Sequence, residues 1–255
     1  MEVTILGSGT AIPIIDRASP SCALFVKGEP PMLFDVGPGT LRQLTRLGIS
    51  HEAIGRIFLT HFHPDHCADL IHLFFATRNP RVLERRKPFV LMGPSGLNDF
   101  MASLHRAFDA SLELPQATLE LKELPPDGVT DIDFGNFRIR TAPTGHTPNS
   151  LAFRVDSSDG SSVVFSGDTG FSEAVIDLAQ GADLLILESA FPDGDEVTGH
   201  LTPSLAGRMA ALAGVRRLVL THFYPESLST DIPAQCRKNY DGELILARDL
   251  LRLCV

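Results

Sequence analysis

Residues 59–66 read Leu-Thr-His-Phe-His-Pro-Asp-His. The run follows a short apolar stretch, Arg56–Thr60, with the character of a buried strand. It leads into Asp65–Thr77, whose apolar spacing is helical. The polar side chains therefore stand where a strand hands over to a helix. His61 and His63 are two apart, so in extended backbone both point to one side, and Asp65 and His66 follow at the turn. Imidazole nitrogen and carboxylate oxygen are ligands for zinc and similar divalent metals. Four such groups in so short a span can present two adjacent ligand sets. The competing explanation is a polar loop that happens to be rich in histidine.

Three other segments repeat the same grammar. His146 sits in Thr-Gly-His-Thr, Asp168 in Phe-Ser-Gly-Asp-Thr-Gly, and His222 in Val-Leu-Thr-His-Phe, each just past a predicted strand. Loops at the ends of neighbouring strands gather on one edge of a sheet. A lone histidine of this kind is usually structural, but three separate strand-then-ligand units are hard to assign to chance.

The spacing predicts strands at Glu2–Leu6, Cys22–Lys27, Met32–Val36, Arg56–Thr60 and Phe89–Met92. Later strands are expected at Phe137–Ala142, Ser150–Val155, Ser162–Phe165, Asp183–Glu188 and Arg217–Thr221. Helices are expected at Gly39–Leu47, Asp65–Thr77, Gly96–Phe108, Ser172–Ala179 and Pro203–Ala213. Pro125-Pro126-Asp127-Gly128 is the clearest break, and both halves run from strands into helix–strand units without a letter-level repeat. Two sheets packed face to face with helices outside would bury this pattern, and so would a doubly wound sheet.

Composition narrows the classes. With 255 residues, 44% hydrophobic and 21% charged, the chain is neither disordered nor fibrous. No apolar run approaches the roughly 18 to 20 residues that cross a bilayer. The opening Met-Glu-Val-Thr-Ile-Leu-Gly has no basic stretch, so no signal peptide and a cytoplasmic location are expected. A net charge of -9 offers no general attraction for a phosphate backbone, leaving polyanions to a local patch or a bound metal. Cys22, Cys67, Cys236 and Cys254 form no Cys-x-x-Cys pair and read as free thiols.

Taken together, His61-x-His63-x-Asp65-His66 with the later His146, Asp168 and His222 resembles the metallo-β-lactamase superfamily over nearly the whole chain. The resemblance implies an α/β fold: an αββα four-layer sandwich spanning residues 1–255 as one domain of two half-repeats, with the metal site at one edge between the sheets. It implies two divalent ions, zinc foremost, with manganese or iron as alternatives. His61, His63 and His146 would hold one, Asp65, His66 and His222 the other, and Asp168 would bridge them. β-Lactamases commonly carry cysteine at the position of Asp168, and flavodiiron proteins an acidic residue at that of His63, so a hydrolase is implied.

Further stretches are similar to the ribonuclease Z family. They are Leu6-Gly-Ser-Gly-Thr-Ala-Ile-Pro13, Phe34-Asp-Val-Gly-Pro-Gly-Thr-Leu-Arg-Gln-Leu44, Glu188-Ser-Ala-Phe191 and Gly199-His-Leu-Thr-Pro203. The match implies that Glu188 and His200 work together beside the metals. Asp35 is read as a hydrogen-bonding brace of the metal loop. The family's long arm, which grips transfer RNA, would fall between His146 and Asp168; those residues are only 22 apart here, which leaves no room for it.

The catalytic candidates are thus Asp65, to orient or deprotonate the nucleophile; His200, to stabilise the phosphoryl group or protonate the leaving oxygen; and Glu188, to hold the His200 ring. The expected activity is hydrolysis of a small or cyclic phosphodiester. Alternatives are hydrolysis of a lactone, thioester or aryl sulfate on the same metals, and transfer-RNA 3′ processing without the arm. A ligand sensor without turnover is disfavoured by the complete ligand set. The expected partner is a small-molecule ester or phosphodiester, with nucleic acid as the less favoured alternative and no membrane; a homodimer follows only by analogy. His51 is expected in a solvated loop, His72 and His105 on helix surfaces or in packing, and Cys67 as a buried thiol. Tyr224 is a candidate for the substrate mouth. Asp193, Asp195 and Glu196 form an acidic run that is either a solvated loop or a barrier to polyanions.

Overall fold

The computed structural model describes residues 1–125 and 130–255, so the expected break lies, beyond Pro125, outside the described residues. The first sheet takes strands β1 (Glu2–Gly7), β2 (Ser21–Phe25), β3 (Met32–Phe34), β4 (Arg56–Phe58), β5 (Phe89–Pro94) and β6 (Leu119–Leu124). The second takes β7 (Asp131–Asp133), β8 (Phe137–Pro143), β9 (Leu151–Ser157), β10 (Ser162–Phe165), β11 (Leu184–Glu188), β12 (Arg217–Thr221) and β13 (Glu243–Leu246); the final strand, β14 (Leu251–Cys254), returns to the first. The spatial orders are β14-β1-β2-β3-β4-β5-β6 and β13-β12-β11-β10-β9-β8-β7. In each sheet the early strands pair antiparallel, and the last three pairings, from β3 to β6 and from β10 to β13, are parallel.

Alternation along the strands sets the layers. Phe34 and Phe58 point inward, where they pack with Phe153 and Phe165 of the other sheet. Leu33, Ile57 and Leu59 point outward against helices α1 (Thr40–Arg46), α3 (Asp69–Thr77) and α5 (Leu97–Phe108), reached through the short α2 (Pro64–Cys67) and, after α3, the short α4 (Pro80–Leu83). Helices α6 (Glu173–Ala179) and α7 (Pro203–Leu212) cover the second sheet, and α8 (Pro225–Leu228) and α9 (Ile232–Cys236) follow β12. The result is the αββα sandwich. Phe34 and Phe165 stack at 4.0 Å and Phe34 and Phe58 at 4.9 Å. This ring cluster lies just before Asp35, His61 and Asp168 in three different strands and gives their loops a rigid floor, each buried ring contributing about 1.5–3 kcal/mol.

The predicted helix Asp65–Thr77 is two helices. Val36 inserts at the joint: its N–H donates to the His66 carbonyl (2.7 Å) and its carbonyl accepts from Asp69 N–H (3.0 Å), diverting groups that would otherwise continue one ladder. Strands β6, β7, β13 and β14 escape sequence patterning because they are the sheet edges and half-polar, β7, β13 and β14 being short as well. All four cysteines are free, with Cys67 and Cys236 buried. Among the described residues no helix is long and apolar enough to cross a membrane.

Candidate metal centre

Every donor singled out in the sequence arrives at one edge of the sandwich, at the C-terminal ends of strands. His61 follows β4, His146 follows β8, Asp168 follows β10, Glu188 ends β11 and His222 follows β12. Close backbone approach makes this possible. A Cβ on Gly37 would sit 2.0 Å from the Asp65 carbonyl, and Gly167 (φ +58°) packs against the Thr60 side chain, where a Cβ would come within 2.6 Å.

Asp35 organises the first two histidines. It holds a left-handed backbone (φ +60°), a strained conformation for a residue with a side chain. Its carboxylate accepts from Thr60 N–H (2.8 Å), from the Thr60 hydroxyl (2.9 Å) and from His66 Nδ1 (2.7 Å). It is the expected brace. Because the Thr60 proton goes to Asp35, Thr60 Oγ1 is left to accept from His61 Nδ1 at 2.9 Å. His146 Nδ1 donates to the Gly199 carbonyl at 2.9 Å. All three rings thereby carry their proton on Nδ1 and turn an Nε2 lone pair toward the centre, the tautomer a metal requires.

The centre is crowded with acceptors. His146 Nε2 faces His63 Nδ1 at 3.1 Å, and His66 Nε2 faces His222 Nε2 at 3.3 Å. Asp168 reaches both groups: Oδ1 is 3.1 Å from His66 Nε2 and 3.3 Å from His222 Nε2, while Oδ2 is 3.6 Å from His146 Nε2 and 3.8 Å from His61 Nε2. Asp65 Oδ2 lies 3.6 Å from His222 Nε2. The donor atoms of His61, His63, His146 and Asp168 lie within 4.8 Å of one another, as do those of Asp65, His66 and His222. His61 Nε2 and Asp168 Oδ1 are buried without a hydrogen-bond partner among the described residues. Buried lone pairs aimed at each other are costly unless a cation sits among them, so these residues fit divalent metal.

Electrostatics agree. Burial and the imidazoles of His66, His63 and His146 push His61 well below its ordinary proton affinity, against the pull of Asp168. Burial would raise the Asp168 carboxyl, but the His222, His66 and His61 rings outweigh it and hold the group well below the usual carboxylate range. Burial disfavours a charged His66 as well, yet Asp168 and Asp35 overcome that and hold its pKa well above the ordinary value. Without a metal, the two carboxylates draw a proton onto this ring; a dication would displace it.

Beside the cluster, His200 Nδ1 donates to Glu188 Oε1 at 2.9 Å. Glu188, 1% exposed, also accepts from the backbone N–H groups of Thr169 (2.8 Å), Ala190 (3.2 Å) and Leu201 (3.1 Å). The His200 ring lies 4.7 Å from that of His146, and one of its ring nitrogens falls within 4.8 Å of donor atoms of Asp168 and His222.

Two expectations are corrected. His51 is not in a solvated loop: it is half-buried in a 3₁₀ turn, and burial and Arg86 lower its proton affinity. Asp193 is not a free acidic residue: it accepts from Ser204 N–H (3.1 Å) and Lys238 Nζ (2.7 Å) and ties the His200 loop to α7; Asp195 and Glu196 are exposed. Cys67 is the expected buried thiol, pushed up to about 12 by burial and the nearby carboxylates. Sequence reading missed Asp249. Its carboxylate accepts from Ser8 N–H (3.0 Å), Ser8 Oγ (2.8 Å), Ala18 N–H (2.7 Å) and Gln43 Nε2 (2.6 Å). The Ser8 carbonyl in turn accepts from Phe223 N–H (3.3 Å), next to His222. Asp249 is 241 residues from Ser8, and nothing in its local sequence marks it.

A two-sheet sandwich with nitrogen and oxygen donors crowded at one edge is the architecture of metallo-β-lactamase-fold, metal-dependent hydrolases. The model of the Beta-lactamase superfamily domain matches residues 32–223, and the chain belongs to that family, whose members normally bind divalent metal ions. It is 30% identical to the Ribonuclease Z of Mycobacterium marinum, over 99% of this chain and 98% of that one. Among solved structures, human tRNase Z, short form, superposes with a TM-score of 0.81 at 28% identity, covering 100% of this chain and 99% of that one. The metallo-beta-lactamase fold protein YhfI from Bacillus subtilis gives 0.85 at 24% identity over 99% and 98%, a likeness of fold.

Proposed function

We propose that the chain is a phosphodiesterase for small or cyclic phosphodiesters, built as one catalytic unit over residues 1–255. The observation that carries this reading is His200, a ring held by a saturated buried carboxylate and set against the His/Asp cluster. His61, His63 and His146 would hold one divalent ion, Asp65, His66 and His222 a second, with Asp168 between them. Bound there, two such ions, zinc foremost, supply an activated water at neutral pH and neutralise charge on a phosphoryl oxygen.

The chain's own residues do the rest. Asp65 orients the nucleophile. His200 donates from Nε2 to the departing oxygen, because Nδ1 is committed to Glu188. Burial alone would strip this ring of its proton, but the hydrogen bond and charge of Glu188 outweigh burial and raise its proton affinity. A leaving alkoxide needs that proton, which suits phosphodiester cleavage. Glu188 is a positioning residue that acts through His200.

The relatives named Ribonuclease Z favour a second reading, processing of transfer RNA. Against it stand the net charge of -9 and the short β9–β10 connection between Ser157 and Ser162, where an RNA-gripping arm would have to emerge. The test is turnover by zinc- or manganese-loaded protein of bis-p-nitrophenyl phosphate, cyclic nucleotides, an acyl lactone and precursor transfer RNA. The expected result is phosphodiester turnover without RNA cleavage; with the cyclic nucleotides, whose departing alkoxide needs a proton, it is lowered about 100-fold or more in His200→Ala at unchanged metal content. Full activity in that variant would sink the assignment, and RNA cleavage would favour the second reading.

A further inference from the structure

Phe191 and Tyr224 stack on each other at 4.8 Å and 15°, yet neither belongs to the two hydrophobic cores. Phe191 lies three residues past Glu188, and Tyr224 two past His222. The Tyr224 N–H donates to the Ala190 carbonyl (3.3 Å), which fixes the segments side by side. Phe191 meets the His200 ring edge-on at 5.6 Å, and Tyr224 meets the His222 ring at 5.9 Å. Both aromatic side chains are half-buried.

A stacked pair held outside the core leaves apolar surface in water unless something covers it. Its position says what does. In the phosphodiesterase reading, on which this inference rests, His200 faces the departing oxygen, so whatever that oxygen carries comes to lie beside Phe191. Glu226, two past Tyr224, acts electrostatically on the Tyr224 hydroxyl, and the exposed Asp195 and Glu196 lie in the chain between Phe191 and His200, so the segments that carry the pair are acidic. Such charge disfavours a leaving group that continues as a phosphate chain.

We infer that Phe191 and Tyr224 form the leaving-group subsite and select phosphodiesters whose departing alcohol is an uncharged planar group, an aryl alcohol or a nucleoside. That group stacks on the pair, and its polar edge bonds the Tyr224 hydroxyl. In the cleavage step water gives one proton to Asp65 as its oxygen adds to phosphorus, the bond from phosphorus to the departing oxygen breaks, and that oxygen leaves with the proton of His200; exchange with solvent then returns a proton to His200 and takes one from Asp65. The pair acts on affinity and orientation alone.

The test uses methyl p-nitrophenyl phosphate, aromatic only on its departing side, and bis-p-nitrophenyl phosphate, aromatic on both. With zinc-loaded full-length chain, Phe191→Leu and Tyr224→Leu should each cut kcat/KM about tenfold on both esters, chiefly through KM, at unchanged metal content and melting temperature. Loss on the bis ester alone would place the pair against the retained group and overturn the inference. A second readout needs no turnover. The chain has no tryptophan and two tyrosines, of which Tyr240 is buried, so a change in tyrosine emission on adding a ligand, lost in Tyr224→Phe, reports on Tyr224. Phenylphosphonate should perturb that emission and methylphosphonate should not, and Tyr224→Phe should abolish the response. Phenylphosphonate without effect would overturn the aromatic subsite, whereas a wild type that hydrolyses neither ester would overturn the phosphodiesterase reading instead.

Discussion

Glu188 shows how much one side chain can be asked to do. Four N–H donors converge on its carboxylate, two on each oxygen. Only an acceptor-only group satisfies them. Glu188→Gln must turn its amide N–H toward two of the four donors whichever way it flips. Each unmet buried donor costs about 1–3 kcal/mol, so the melting temperature should fall measurably by circular dichroism. The variant also removes the charge that raises the His200 proton affinity. A ring with raised affinity stays protonated to higher pH, so losing that support should move the alkaline limb of the kcat profile to lower pH. An unshifted limb would separate His200 from the proton it is assigned. The family match implied the Glu188–His200 contact, but the three backbone donors are not legible in the letters Glu-Ser-Ala-Phe, because they come from segments as far apart as Thr169 and Leu201.

At the scale of elements, the loop after β1 and the start of α1 meet on Asp249, which gives the Gly7–Thr10 and Gly39–Leu44 stretches a physical purpose. Arg17 adds to this corner, donating to Ser8 Oγ (2.6 Å) and the Ala247 carbonyl (2.9 Å) with its guanidinium over the Phe223 ring. Through Ser8 the corner holds the turn of His222, itself strained at φ +59°. Asp249→Ala should therefore destabilise the chain by about 3 kcal/mol, several donors losing their acceptor together. It should also lower metal content from the Asp65, His66 and His222 set before the other, read as a fall in ions bound per chain; undiminished metal content would refute the link. The central strands and long helices were readable because their apolar periods are strong. The edge strands were not, because a short half-solvated strand carries too few buried positions to leave a pattern.

Across the whole molecule, the candidate ligand groups are drawn from both sheets: His61, His63, Asp65 and His66 from the first, His146, Asp168 and His222 from the second. Ions held there would staple the sheets at one edge, while the Phe34, Phe58, Phe153 and Phe165 cluster holds the interior. Chelation should thus leave strand and helix content intact but lower the melting temperature by roughly 10 °C, reversed by zinc; a site filled to about 1,000 times its Kd adds about 4 kcal/mol, and each kcal/mol is about 2–4 °C at this size. An unchanged melt would mean the ions contribute nothing to the union of the sheets. The sequence alone determined which donor types the chain carries and that each sits where a strand ends, because residue chemistry and local periodicity are written locally. It left two architectures open from periodicity. Only the tertiary structure decided that these ends share one edge, which ring nitrogen each hydrogen bond frees, and that Asp249 and the Phe191–Tyr224 pair stand beside them. Those facts depend on contacts between segments up to 241 residues apart, and no local pattern encodes such a distance.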